Sequence, residues 1–239
     1  MAVTSLQIER LRCLQGIDCH PDPNVNLITG PNAAGKTSLL ESIFLLSRGR
    51  SFRSGRNSEM IQYEASTLTV SAKINDDAVA HRLGVEIARG RRRLQLDGEA
   101  AAIGDLAALL PVQVIDPEVH LLIQGGPEQR RRFLDWGVFH VEPQFLDCWR
   151  RYRKALRQRN AALRRQEPRE VVMAWDAELI REGQLGDAQR HTFTDQFHSR
   201  LSSIISEILP IDVKCAKSIS DKSEINNYDI NNIPSNFMA

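Results

Sequence analysis

The sequence predicts an α/β P-loop nucleotide-binding core with a mixed sheet and an attached helical arm, and three observations predict it. The stretch GPNAAGKTSLLESI, Gly30 to Ile43, reads G-x-x-x-x-G-K-[ST]. Downstream, STLTVSAKI, HRLGVEIARG and RRRLQLDGEA alternate apolar and polar residues, the pattern of an antiparallel meander. Beyond Pro143 the apolar spacing becomes helical and stays so for two long segments.

From the start of the chain, SLQIERL and VNLIT read as short strands flanking a loop punctuated by Pro21 and Pro23. VNLIT leads into the glycine-rich loop. The residues after the loop place Leu39, Leu40, Ile43, Phe44 and Leu46 at helical spacing, so the motif sits between a strand and a helix, as its chemistry requires. Next comes SRGRSFRSGRNSEMI, a loop whose Arg48, Arg50, Arg53 and Arg56 recur without apolar period. The meander follows, with Asn75-Asp76-Asp77 and Asp97-Gly98 at its turns.

IGDLAALL reads as a small helix before Pro111, and VQVI as a buried strand after it. Asp116 is a good N-cap with Pro117 at the first helical position, and Gly125-Gly126-Pro127 separates one helix from the next. From Pro143 to Arg165, Phe145, Trp149, Tyr152, Leu156 and Leu163 keep to one side of a helix. A second helix carries Phe193, Phe197, Leu201, Ile204, Ile205 and Ile208, and a polar turn at Glu167-Pro168 makes the pair an antiparallel hairpin. The expected domains are therefore a P-loop core with its meander over 1–126, a helical arm over 127–210 and an atypical, disordered tail over 211–239, where Asn and Ser dominate.

Composition bounds the function. The 239 residues suffice for a full core, and the formal net charge of +1 announces no global attraction to a polyanion. The first residues lack the apolar stretch of a signal peptide, and no run approaches the roughly 18 apolar residues of a membrane span. A soluble, cytoplasmic protein without membrane partners is expected. Cys13, Cys19, Cys148 and Cys215 form no C-x-x-C pair, and His120, His140, His191 and His198 show no metal-ligand spacing. Trp136, Trp149 and Trp175 read as core anchors.

The loop carries the chemistry. Gly30 and Gly35 let the backbone turn its N–H groups inward, and Pro31, Asn32, Ala33 and Ala34 span the cradle between them. Lys36 would pair with the β- and γ-phosphates of ATP, Thr37 would hold Mg²⁺ through its hydroxyl, and Ser38 completes the site. Between Arg130 and Arg165 eleven Lys/Arg face only Asp135, Glu142 and Asp147, an electrostatic footprint for a phosphate backbone. The DNA-contact candidates are Arg130, Arg131, Arg150, Arg151, Arg153, Lys154 and Arg157, with Arg130 and Arg131 equally suited to bracing their helix. Arg89, Arg91, Arg92 and Arg93 read as a basic turn or a second such contact.

Three segments together resemble the RecF family of bacterial recombination and replication-repair proteins, in the SMC-like branch of ABC-type ATPases. They are LQIERLRCL; LITGPNAAGKTSLLESI with SRGRSFRS; and PEVHLLIQGGPEQRRRFLDW, in which Pro117, Glu118, Gly125, Pro127, Arg130, Arg131, Phe133, Leu134 and Asp135 fall where the family's signature puts them. Leu11 stands where the family has an aromatic residue before its arginine. The resemblance implies an ABC/SMC-type ATPase head, with Arg12 at the nucleotide and Gln113 in the position of a glutamine that senses Mg²⁺ and the γ-phosphate; Gln113 reads equally as a polar strand-edge residue. It further implies ATP-dependent binding to single-stranded or gapped DNA in replication, recombinational repair and the SOS response, an ATP-dependent homodimer, and RecR/RecO-type mediators as partners.

The family's Walker B aspartate, adjacent catalytic acid and Ser-x-Gly loop have no counterpart after Arg165, so a shortened chain without an assigned catalytic residue is expected. Two alternatives stand beside this reading: a truncated, non-hydrolysing DNA- or partner-binding chain, and a small P-loop kinase, which the meander and the helical arm disfavour.

Overall fold

Alternation along three long segments sets the first layer of the molecule. A computed structural model describes residues 2–76 and 79–208. Asp77, Cys215 and the expected 211–239 tail lie outside the described residues. The chain divides into two units, one ending at Asp116 and the other starting at Pro117. The sequence placed this boundary at 126, so the 117–126 stretch groups with the helices instead.

The first unit runs β1 (Ala2–Leu11), β2 (Leu14–Cys19), α1 (Lys36–Arg48), β3 (Thr67–Asp76), β4 (Val79–Ala88), β5 (Arg91–Leu96), β6 (Glu99–Ala100) and α2 (Ile103–Leu109). The six strands form one sheet of order β2-β1-β3-β4-β5-β6, and every pairing is antiparallel. Register follows the alternation: Ile8 opposes Val70 and Val70 opposes Val85, so Leu6, Ile8, Leu68, Val70, Ile74, Leu83, Val85 and Ile87 are all buried on one face. Leu45, Leu46 and Leu106 from α1 and α2 complete that core. The expected meander is present, and Asp97 (φ 52°) with Gly98 (φ 90°) makes the tight β5–β6 turn with positive φ at both centres.

Two expected strands are absent. The run before the glycine-rich loop is irregular, with Val25 80% and Leu27 88% exposed, and the strand that flanks β1 on the side away from β3 is LQGIDC, residues 14–19. VQVI is likewise irregular and Ile115 is 81% exposed. An apolar run becomes a strand only where a neighbour completes its hydrogen-bond ladder, and among the described residues neither segment has one.

The second unit is helical: α3 (Leu121–Gln124), α4 (Pro127–Val141), α5 (Phe145–Arg164), α6 (Arg169–Met173) and α7 (Asp176–Ile208). Pro117–His120 forms a 3-10 turn rather than the start of a regular helix, while Pro127 opens α4 as expected. Arg159 meets Asp176, and Arg151 and Cys148 meet Glu182, so partners on α7 advance as those on α5 retreat; the hairpin is antiparallel. Its connection is longer than the turn read from Glu167-Pro168, because α6 is inserted and α7 starts at Asp176. Gly137 lets α4 approach α7: a Cβ there would lie 2.3 Å from the Phe193 ring.

Candidate nucleotide site and basic helical arm

Left-handed residues shape the loop ahead of α1. Gly30 (φ 146°), Ala33 (φ 65°) and Gly35 (φ 94°) all have positive φ, the kind of backbone that gathers N–H groups into a concave anion-binding loop. The Ala34 amide donates to the Pro31 carbonyl at 3.3 Å, closing the turn. Lys36 is the first residue of α1, and its Nζ donates to the carbonyls of Gly30 and Pro31, each at 2.7 Å, which holds its charge across the loop. No acid sits in the first turn of α1, so nothing offsets the partial positive charge of the helix N-terminus.

Pro31, Asn32, Ala33, Ala34 and Thr37 are exposed along this cradle, whereas Ser38 is buried with its hydroxyl 3.9 Å from Cys13 Sγ. Gly35 is held close by the β1–β2 turn: a Cβ on it would reach Leu14 Cδ2 at 2.5 Å and Cys13 Sγ at 3.3 Å. These features fit a polyphosphate. Among the described residues there is no cluster of three or more His, Cys, Asp and Glu arranged for a metal ion.

Arg12 lies in the turn that leans on this loop, in the left-handed region at φ 53°. Its Nε and Nη2 both donate to the Glu41 carboxylate, Nη2 at 2.8 Å, and its Nη1 donates to the Glu59 carbonyl at 3.3 Å. Glu41 is fully buried on α1, accepts a hydrogen bond from Ser51 Oγ and has Arg53 Nη1 at 4.0 Å. Burial would raise its carboxyl, but the bonds from Arg12 and Ser51 outweigh it and hold the pKa below the ordinary value; the Glu41 bond in turn raises that of Arg12. Nothing in the motif pointed to Glu41. The available signal was one acid inside the apolar run LLESIFLL, a position that a solvated face would not place there. Gln113 is exposed in the irregular 111–116 segment, with Nε2 donating to the Val114 carbonyl at 3.2 Å.

Several cations of the basic arm have partners within the helical unit. Arg130 Nη1 donates to the Gly125 carbonyl at 2.9 Å, bracing the start of α4. Arg151 pairs with the buried Glu182 at 3.0 Å, Arg159 with Asp176 at 2.7 Å, and Arg153 lies over the Trp149 ring at 4.8 Å. The acids that meet Arg151 and Arg159 lie on α7, beyond the 130–165 stretch in which the basic residues cluster. Arg150 makes only an exposed 3.4 Å pair with Asp147, and Lys154 and Arg157 are exposed, so residues 150, 154 and 157 form one stripe along α5. Arg131 is exposed on α4. On the meander, Arg92 donates to the Gly49 carbonyl at 2.9 Å while Arg91 and Arg93 are exposed.

Comparison with known proteins shows the family of the chain. Residues 2–203 match the family described as RecF/RecN/SMC N terminal domain. A DNA replication and repair protein RecF from Xanthomonas axonopodis pv. citri is 42% identical over 216 residues, covering 88% of this chain and 59% of that protein. One of the same name from Shewanella baltica is 39% identical over 217 residues, covering 90% of this chain and 60% of its own. This chain thus spans about three fifths of the length of these relatives. A solved structure of the recombination mediator protein RecF-ATP in the RecFOR pathway superposes with a TM-score of 0.80 at 25% identity, over 87% of this chain and 58% of that one. Among the described residues no helix is long and apolar enough to cross a membrane.

Proposed function

The chain belongs to the RecF/RecN/SMC N-terminal domain family, and from that membership we propose that it binds ATP at residues 30–38 and DNA along its helical arm, in replication and recombinational repair. One observation carries the reading: Lys36 Nζ, the left-handed loop and an α1 N-terminus without acids converge on one cradle. There the amides of Gly30 to Gly35 bind and orient the phosphates, Lys36 spans the β- and γ-groups, Thr37 holds Mg²⁺ and Ser38 backs the loop. Mg²⁺, when bound, neutralises phosphate charge and polarises the γ-phosphoryl group. Arg12 and Gln113 are proposed to face the same phosphates. Binding rather than hydrolysis is the activity assigned, and no residue is given a catalytic role.

On the arm, Arg150, Lys154 and Arg157 are the cations proposed to meet a single-stranded or gapped DNA backbone, with Arg131 as a further contact. Arg130, Arg151 and Arg153 have structural partners and contribute less. We further propose an ATP-dependent homodimer working with RecR/RecO-type mediators in the cytoplasm, including during the SOS response; the solved RecF-ATP relative in the RecFOR pathway supports the recombination setting. The antiparallel meander disfavours a small P-loop kinase, whose sheet is built from parallel βαβ units.

The test is a titration with a fluorescent, non-hydrolysable ATP analogue and Mg²⁺, with and without a gapped duplex, reading affinity and mass together. Saturable nucleotide binding with DNA-enhanced dimer supports the reading. Absence of both nucleotide and DNA binding contradicts it.

A further inference from the structure

Glu41 stands one turn beyond Thr37 on α1, and this i,i+4 spacing puts the two on the same side of the helix. Both of its oxygens are in use. Oε2 accepts from Arg12 Nε, while Oε1 accepts from Arg12 Nη2 and from Ser51 Oγ. Ser51 Oγ also accepts the amide N–H groups of Arg53 at 2.8 Å and Ser54 at 3.0 Å, so the buried carboxylate anchors a closed turn at the head of the arginine-rich loop. The same loop is fastened at its base by Asn57 Nδ2 and Arg92 Nη1, both donating to the Gly49 carbonyl, and by the Phe44–Phe52 ring contact at 5.4 Å. Arg53 and Arg56 therefore project from a pinned loop, both exposed.

We propose that Glu41 is a positioning residue that fixes Arg12 against the nucleotide loop and, through Ser51, sets the Arg53/Arg56 turn that follows the same helix. This rests on the reading of residues 30–38 as a nucleotide site. Gripped along its Nε–Nη2 edge, Arg12 offers Nη1, whose 3.3 Å bond to the Glu59 carbonyl is long enough for a phosphate oxygen to replace. Cys13 and Leu14, next in the chain, already lie against Ser38 and Gly35, so a displacement of Arg12 is felt at the loop. A carboxylate that served stability alone would not need to join the turn at 12, the nucleotide helix and the basic loop; Glu41 joins all three.

The experiment compares the full chain with Glu41→Gln, Arg12→Gln, their double variant and Lys36→Ala. Hydrogen exchange is followed over residues 10–14, 30–38 and 49–60, and affinity is measured with Mg²⁺ and a non-hydrolysable ATP analogue. Glu41→Gln is expected to speed exchange at Arg53 and Ser54 about tenfold and to weaken the analogue about tenfold, the scale of one charge-assisted hydrogen bond. Because the two residues act as a unit, the double variant should bind no more weakly than the worse single variant. Unchanged exchange over 49–60, or strictly additive losses of affinity, overturns the proposal. If wild type and Lys36→Ala bind the analogue equally, the nucleotide reading fails, while the exchange at 49–60 still decides whether Glu41 pins the loop.

Discussion

Each unit buries one glutamate beneath arginines, yet the two sites are built differently. In the sheet unit, Glu41 is fully enclosed, its two oxygens divided among Arg12 and Ser51, with partners drawn from a strand turn and a loop. In the helical unit, Glu182 gives one oxygen, Oε1, to both Arg151 and Arg181, and Oε2 is buried without a hydrogen-bond partner. A buried carboxylate whose acceptors are all used specifies the positions of its partners; one with an orphan oxygen retains part of its desolvation cost. The surroundings differ in the same sense, since a continuous apolar core lies under the sheet. The helical unit is held by scattered buried residues such as Val138, Phe145 and Ala155 with ion pairs across α5 and α7.

Substitutions sharpen that contrast. Glu41→Ala leaves Arg12 and Ser51 without their acceptor and should cost about 3 kcal/mol in urea unfolding of the sheet unit. Glu182→Gln keeps the shape and removes a charge that was only half used, so a loss of about 1 kcal/mol is expected in the helical unit. Equal losses would erase the distinction between the two sites.

Acid should act on both. The folded-state pKa values of Glu41 and Glu182 lie below the ordinary 4.5, in the latter case chiefly through the Arg151 hydrogen bond. The stability they contribute is therefore complete above the ordinary value and is lost as pH falls through the depressed one. The facing groups are Arg12, Arg53 and Ser51 around Glu41, and Arg151 and Arg181 around Glu182. Urea midpoints should fall in wild type as pH drops below the ordinary 4.5, and Glu41→Gln should make that fall shallower. Smallest in stability is Arg157→Ala, expected to stay within about 0.5 kcal/mol by thermal melting while reducing the salt slope of DNA binding by about one.

Legibility in the sequence tracked how local each signal was. The P-loop, the meander and the α5 face were readable because their periods and turn residues lie within a few positions of one another, as at Asp97-Gly98. The β2 strand was hidden because Gly16 and Asp18 interrupt its pattern, and VNLIT and VQVI misled because an apolar run says nothing about its ladder partner. The Arg12–Glu41 bond spans 29 residues and the Arg190–Asp135 bond 55, so neither was within reach of spacing arguments. The same distance effect hid the pairs Arg151–Glu182 and Arg159–Asp176, whose partners lie 31 and 17 residues away.

The claim on which the rest depends is that residues 30–38 hold a polyphosphate, and calorimetric titration of wild type and Lys36→Ala with a non-hydrolysable ATP analogue and Mg²⁺ tests it most directly. Saturable binding by wild type, weakened about a hundredfold or more in Lys36→Ala with an unchanged melting profile, is the predicted result. Equal affinity of the two proteins would contradict it.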